Sequence, residues 1–404
     1  MQGGGFSPFG VPFEFVLFAA TLLGVAVWHR HTLLVALVGL AAITAYKFQF
    51  TGFAEGAGAP GLAGHLQHEW VILANLGLLL TGFAIVSRHF EESRLPDLIP
   101  GILPSNWTGA VVLLFLIFVA SGFLDNIAAA LIGATIARHV YDGRVSIGYL
   151  AAIVAASNAG GAGSVVGDTT TTMIWIAGHS PLAVLHAYVG AFVCFAVLAV
   201  PAAIAQQRHQ PMKRHDASAV QPDLARIWIV VAILAAAIAS NVATNIFAPH
   251  LSDEWPVIGT AVWVTIILAA IVRNADWSAL IAAAKGTLFL LSLVLCASLM
   301  PVESLPPPSS QTTLGLGFIS AVFDNIPLTA LALKQGGYDW GVLAYAVGFG
   351  GSMVWFGSSA GVAVSNLFPE AKSVFAWLRA AWWLPIAYLA GFFAMVELLG
   401  WHPD

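Results

Sequence analysis

The chain has 404 residues, 59% of them hydrophobic and only 9% charged, with a formal net charge of −5 and a mean hydropathy of +0.86. A soluble domain carries roughly 25% charged residues, so composition excludes one and leaves an integral membrane protein. The net charge excludes little more, because the charged residues gather between apolar runs.

A helix needs about 20 mostly apolar residues to cross a bilayer. Such runs are predicted at residues 11–28 and 32–50, joined by His29-Arg30-His31. A polar, glycine-rich loop with Glu55, His65, His68 and Glu69 leads into a span at 70–87, and the linker 89–104 is broken by Pro96, Pro100 and Pro104, which exclude regular helix. The apolar run 107–140 is interrupted at Gly122-Phe-Leu-Asp125-Asn126, too soon for a completed crossing, and predicts a re-entrant hairpin. A broken helix at 146–177 and a span at 182–205 follow. The hydrophilic stretch 206–226, with Arg208, Lys213 and Arg214, divides the chain. Beyond it come spans at 227–247, 257–272 and 280–300, a second hairpin at 312–334 with Asp324-Asn325-Ile-Pro327 at its tip, a second broken helix at 341–367 and a last span near 375–399.

The expected fold is thus an all-α polytopic membrane protein of about ten full spans plus two hairpins. It divides into an N-terminal span (1–28), a first repeat (29–206), a cytoplasmic linker (207–226), a connecting span (227–247) and a second repeat (248–404). No basic segment precedes the first apolar run, so no cleaved signal peptide is expected. Cys194 and Cys296 lie in apolar runs and read as small core residues rather than a disulfide.

The stretch that carries chemistry is Ser157-Asn158-Ala-Gly160-Gly161-Ala-Gly163-Ser-Val-Val-Gly167-Asp168, followed by Thr169 to Thr172. Each glycine costs about 1 kcal/mol relative to alanine in a helix, so the segment is predicted to break at mid-depth. Irregular backbone is tolerated there only where it is buried in protein or lines a wet cavity. The break holds a carboxylate, an amide and a ladder of hydroxyls, oxygen ligands suited to a hard cation such as Na+.

Landmarks recur in the second half. Asp125-Asn126 returns as Asp324-Asn325, 199 residues later, and Gly160-Gly161 and Gly167 return as Gly350-Gly351 and Gly357, 190 residues later. With residue 1 placed outside, Arg30, Arg88, Arg94, Arg138, Arg144, the 208–226 cluster and Arg273 all fall inside, as the positive-inside rule requires. Lys334 alone falls on the wrong side. The second copy then comes out inverted, an architecture common among secondary transporters.

The runs from Asn158 to Trp175, from Phe323 to Thr329 and from Gly357 to Val364 resemble those of NhaD-type sodium/proton antiporters. That family belongs to the wider ion-transporter superfamily, which includes arsenite, citrate and dicarboxylate carriers. The resemblance covers most of the chain from the third span onward. It implies an inverted-repeat fold, a homodimer and an elevator-like motion of a transport domain against a scaffold, with Na+ and H+ as transported species and no cofactor. The chain departs from the expected pattern at Ala128-Ala129-Ala130, where hydroxyls would follow the first Asp-Asn.

The residues support the same chemistry without the family. Asp125, Asp168 and Asp324 are acids at membrane depth, where an ionised side chain costs at least about 2.5 kcal/mol. Burial favours a bound proton and a nearby cation favours the carboxylate, so one site exchanges one for the other. The expected site comprises Asp168 and Asp324, as the Na+ ligands, with Asn158, Asn325, Thr169, Thr170, Ser358 and Ser359, completed by Asp125 and Asn126.

Plainer readings compete. Gly163 to Gly167 and Gly357 to Gly361 are also helix-packing GxxxG pairs, and Asp125 and Asp324 could cap the second arm of each hairpin. Lys285 reads as a snorkelling or paired cation, Lys47 as a span-end anchor, and His65 and His68 as solvated loop residues. Trp28, Trp70, Trp107, Trp340, Trp382 and Trp383 read as an interfacial belt. Carboxylate uptake is the alternative function, since hairpin tips and broken helices present N-termini to anions. An intramembrane enzyme lacks its motifs, and a passive channel fits two broken helices less well. Lipid and a small ion are the partners expected, and nucleic acid is not.

Overall fold

The computed structural model describes residues 6–7, 10–28, 31–213 and 221–403. His29 and Arg30 of the first predicted turn, and Arg214 in the linker, lie outside them. Among the described residues the regular structure is helical, with a single isolated bridge between Phe53 and Gly56. Helices satisfy backbone polar groups within each segment, which lipid demands. The protein is an all-helical, polytopic membrane protein. Among the described residues five helices are individually long and apolar enough to cross a bilayer, and a bent pair makes a sixth.

Helices α1 (Phe13–Val27) and α2 (Thr32–Tyr46) form an antiparallel pair, and α2 runs on into a π-turn, Lys47–Thr51. Helix α3 (Gly58–Glu92) is 35 residues long, so His65, His68 and Glu69 stand on helix rather than in the expected loop. Pro60 does not prevent this, because it falls in the first turn, where a missing N–H costs nothing. The 89–104 linker likewise yields its first residues to α3 and holds only short turns, including α4 (Ile99–Ile102).

The first predicted hairpin is α5 (Trp107–Ser121) and α6 (Asn126–Val140), and the first broken helix is α7 (Ile147–Gly161) and α8 (Thr169–Ile176). Then come α9 (Pro181–Leu185), α10 (Ala187–His209), α11 (Leu224–Phe247), α12 (Pro249–Glu254), α13 (Val257–Ala269) and α14 (Ser278–Ser298). The second pair of devices is α15 (Ser310–Ser320) with α16 (Asn325–Gln335), and α17 (Trp340–Gly350) with α18 (Ser359–Leu367). The last predicted span is two helices, α19 (Val374–Ala380) and α20 (Leu384–Leu399), bent by 60°. Pro385 in the first turn of α20 explains the bend, because proline starts a helix but cannot continue one.

The helices pack as two groups. In one, α3 is the spine against which α11, α13 and α14 lie, with α1 and α2 joined through α14. In the other, α5, α6, α7, α10, α15, α17, α18 and α20 surround each other. Helix α7 from Tyr149 onward and all of α17 are buried on every side, as uniformly apolar helices should be. The groups meet mainly where α16 lies on α14 and α8 approaches α3.

One end of the molecule carries paired charges. Arg88 bonds Asp276 and Glu91, both at 2.7 Å, Arg226 bonds Glu92 at 2.6 Å, and Arg273 bonds Asp223 at 2.8 Å. The Ser278 hydroxyl and Arg88 together draw the Asp276 carboxyl down to about 2. The Lys213 N–H donates to Val140 O and the Asp223 N–H to Ser93 O, so both ends of the linker, the end of α6 and the end of α3 share this side.

At the opposite end a cavity of about 740 Å³ is lined by Glu14, Lys47, His65, Ser298, Glu303 and Lys334, among others. Lys47 is 9% exposed and faces this cavity with the Phe53 ring at 5.9 Å, so it is not a snorkelling anchor. His65 is buried, 3.3 Å from Glu55 and 3.0 Å from the Ser298 hydroxyl, which removes it from the solvated histidines. Lys334 donates to Ser298 O and, at 2.7 Å, to Met300 O. Lys285 is exposed and has no ion pair among the described residues. Trp28, Trp70, Trp107 and Trp382 are exposed as a belt requires, whereas Trp340 is buried at 3%. Cys194 and Cys296 are buried and free.

Candidate functional site

The two breaks are seated by contact rather than by special backbone angles. Gly160, Gly161, Gly163 and Gly167 all have negative φ, and the first two are still helical. What they provide is space. A Cβ on Gly160 would stand 2.0 Å from Phe118 O, one on Gly167 2.1 Å from Ser121 O, and one on Gly161 2.6 Å from Gly167 O. A Cβ on Gly163 would stand 2.4 Å from the Tyr188 ring. The second half repeats the arrangement, with Gly350 2.1 Å from Gly317 O, Gly357 2.5 Å from Ala321 O and Gly351 2.6 Å from Gly357 O. The propensity cost located the break, but close approach, of Gly160 and Gly167 to α5, of Gly350 and Gly357 to α15 and the residue after it, and of the rest to the loop or to Tyr188, is why these residues are glycine.

Hydroxyls close the first break. Thr171 donates to Ser164 O and to Asp168 O at 2.8 Å, and Thr172 to Val165 O at 2.8 Å and Asp168 O at 2.9 Å. These two members of the threonine ladder satisfy loop carbonyls, which would otherwise be buried without partners. Thr169 instead lines the central cavity. The Thr170 hydroxyl faces Asp168 without reaching hydrogen-bond geometry.

Asp168 is 1% exposed and sits at the centre of a network drawn from both halves of the chain. It caps α8, accepting the Thr170 N–H at 3.0 Å. The Asn325 amide donates to it at 3.0 Å from one hairpin tip, and the Asn126 amide at 3.3 Å from the other. Asn126 also donates to Asn158 Oδ1 at 3.1 Å, and Asn158 in turn donates to Ser352 at 2.9 Å and Ser358 at 3.1 Å. Every donor bonded to Asp168 is neutral. A buried carboxylate needs a compensating charge as well as hydrogen bonds.

Asp125 and Asp324, matched in sequence, behave differently. Asp125 makes no capping bond and opens onto a cavity of about 470 Å³ that it shares with Asp168 and Thr169. Asp324 accepts the Ile326 N–H at 3.1 Å and the Ser359 hydroxyl at 3.1 Å, and borders a separate cavity of about 210 Å³. The acids that share the larger cavity are therefore Asp125 and Asp168, and Ser359 borders both spaces. The far wall of the larger cavity is Leu79 to Ala84 of α3 and Ala283 to Leu290 of α14. Ala128, Ala129 and Ala130 are buried and do not line it. At Thr329, the counterpart of Ala130, the hydroxyl is used by Asn325 O at 2.9 Å, so this hydroxyl faces its own helix rather than the cavity.

Sequence reasoning missed Ser352, fully buried and bonded to Asn158. It follows Gly351 at the place matched by Ala162, a polar-for-apolar difference between the repeats that was readable. Among the described residues no group of three or more His, Cys, Asp or Glu side chains is placed to hold a metal.

A family model described as citrate transporter matches residues 15–350. The chain belongs to the citrate-transporter family. Similar proteins outside this chain include sodium/proton antiporter 1 of Arabidopsis thaliana, 26% identical over 75% of this citrate-transporter-family chain, which spans 58% of the plant protein's length. The Na(+)/H(+) antiporter NhaD of Vibrio parahaemolyticus is 24% identical, covering 80% of the chain and 89% of the relative. That of Alkalimonas amylolytica is 26% identical, covering 83% and 78%. The likeness to NhaD-type antiporters carried by the motifs thus extends over most of this family member.

Proposed function

We propose that the protein is a secondary active transporter that exchanges Na+ or Li+ for protons by alternating access. The observation that carries this reading is Asp168, a buried acid surrounded by neutral donors, with a second acid, Asp125, across the same cavity. A proton or an alkali cation supplies the missing charge, and each disfavours the other at a shared carboxylate. Amide and hydroxyl oxygens of Asn126, Asn158, Asn325, Thr169, Thr170, Ser352 and Ser358 complete an oxygen-rich site suited to a hard ion. Asp324 and Ser359 shape the second hairpin tip. The names of the relatives agree with this chemistry.

Uptake of a carboxylate such as citrate is the weaker reading, although the family description favours it. An anion would need free N–H groups at helix N-termini, whereas Asp168, Asp324 and Ser358 each occupy an N–H at the starts of α8, α16 and α18, and the larger cavity is lined by two acids, Asp125 and Asp168.

The wider architecture belongs to the same proposal. The matched glycine contacts support two inverted repeats, each with a re-entrant hairpin and a broken helix, and the two packing groups support a transport domain moving against a scaffold. The basic face supports a cytoplasmic linker, with both termini outside the inner membrane. A homodimer rests on the family resemblance alone. The test is Na+-driven proton flux in liposomes. Asp168→Asn is expected to reduce exchange at least about a hundredfold, a loss of about 2.7 kcal/mol in transport-step stabilisation, and undiminished exchange would remove Asp168 from the mechanism.

A further inference from the structure

We propose that ions reach the site from the linker side along one face of α6, and that Leu131 is the apolar constriction on that route. The inference rests on the transport reading only for what moves along the path. The path itself is geometric. A second cavity, of about 660 Å³, opens on the linker side between the end of α3, the turns around Pro96 and Pro100, and α6. Leu131 is the residue common to the lining of this vestibule and of the site cavity.

Helical spacing makes the route continuous. Ile127, Leu131, Thr135 and His139 are each four residues apart and so share one face of α6. Ile127 and Leu131 border the site cavity, while Leu131, Thr135 and His139 border the vestibule. From Asn126 to His139 the helix rises about 20 Å, turning from apolar at the tip to polar at the mouth. The mouth charges are held in pairs, Arg94 with Asp97 and Arg88 with Glu91, so the narrow apolar point is what remains to control passage. Apolar constrictions do this by excluding water.

The opposite side is built differently. The 740 Å³ cavity there shares no lining residue with the site cavity. Between them, Lys334 at the end of α16 is bonded to the carbonyls of Ser298, the last residue of α14, and of Met300 just beyond it, and His65 of α3 holds the Ser298 hydroxyl. The structure is open toward the linker and fastened on the other side.

Because Cys194 and Cys296 are fully buried, introduced cysteines can be read in the otherwise native full-length chain. A membrane-impermeant thiol reagent is applied to one side of proteoliposomes at a time, with Lys213→Cys marking the linker side. Thr135→Cys and Ile127→Cys are both expected to react from that side, Ile127→Cys more slowly. Adding Leu131→Trp should slow Ile127→Cys at least about tenfold and leave Thr135→Cys within about twofold, while Leu131→Ala should speed Ile127→Cys, as expected of a constriction lying between them. The unchanged Thr135→Cys rate shows that the tryptophan variant is folded. Labelling of Ile127→Cys only from the opposite side, or at a rate indifferent to both Leu131 substitutions, overturns the route. Labelling needs no transport, so an intact pattern without Na+-driven proton flux would sink the antiport reading and leave the path standing.

Discussion

At the first break the residue capping the following helix is Asp168; 190 residues later, at the second, it is Ser358. The hairpin tips reverse the emphasis, since Asp125 is left facing the cavity while Asp324 is tied to its own helix and to Ser359. The backbone devices nearly coincide: Gly160 and Gly350 face the equivalent carbonyls of Phe118 and Gly317, Gly161 and Gly351 those of Gly167 and Gly357, while Gly167 and Gly357 face Ser121 and Ala321, one position out of register. The charge does not. Both carboxyls that border the larger cavity, Asp125 and Asp168, come from the first half, while the second half contributes the Asn325 amide and the Ser359 hydroxyl there. A symmetric scaffold can in this way hold an asymmetric site.

The sharpest way to break the comparison is at the tips. Asp125→Asn is expected to reduce Na+-driven proton flux about tenfold or more, whereas Asp324→Asn should stay close to normal because asparagine caps a helix as well as aspartate does. Asp324→Ala should then lose about 1 kcal/mol of stability, seen as a lower melting temperature in detergent. Equal transport loss in both asparagine variants would return Asp324 to the ion site.

The shared backbone is tested by Gly160→Ala and Gly350→Ala. Each forces a Cβ to within 2.0 or 2.1 Å of a carbonyl oxygen, and overpacking of this kind costs about 1–3 kcal/mol. Matching losses in thermal melts, with Gly286→Ala as a comparison that melts no lower than the native chain because nothing lies within 4 Å and alanine favours the helix, would show that the two breaks bear the same load. A loss at one position only would break the equivalence.

The smallest effect concerns the charged linker face. Asp276 is held near 2, below its ordinary 3.8, by Ser278 and Arg88. A depressed carboxyl stabilises the fold above its ordinary value and loses that contribution as pH falls toward 2. Its contribution is therefore constant from about pH 6 to 9. Asp276→Asn should leave the pH profile of proton flux unchanged over that range, and a shifted profile would show that this face senses pH.

Much of this was legible in the sequence. Composition gave the membrane class, and the helices stop between Gly161 and Thr169 and between Gly350 and Ser359, where the glycine runs put the breaks. What was hidden depended on which neighbour each group meets. His65 looked solvated because polar residues flank it, yet α3 continues through them. Lys334 looked misplaced because its partners, two backbone carbonyls, leave no trace in composition. Thr171 and Thr172 read only as part of an oxygen-rich ladder, because a hydroxyl's partner is set by the fold of the loop beside it.

Helix α3 borders three of the four spaces described, with His65 in one, Leu79 to Ala84 in the middle one and Glu91 in the third. At 35 residues it is about 52 Å long, well beyond the thickness of the hydrocarbon it crosses. A rod pivoted at its middle swings its tips in opposite senses, so a tilt of only about 5° carries each end about 2 Å. Any rigid tilt of this beam moves the walls of the two end cavities in opposite senses.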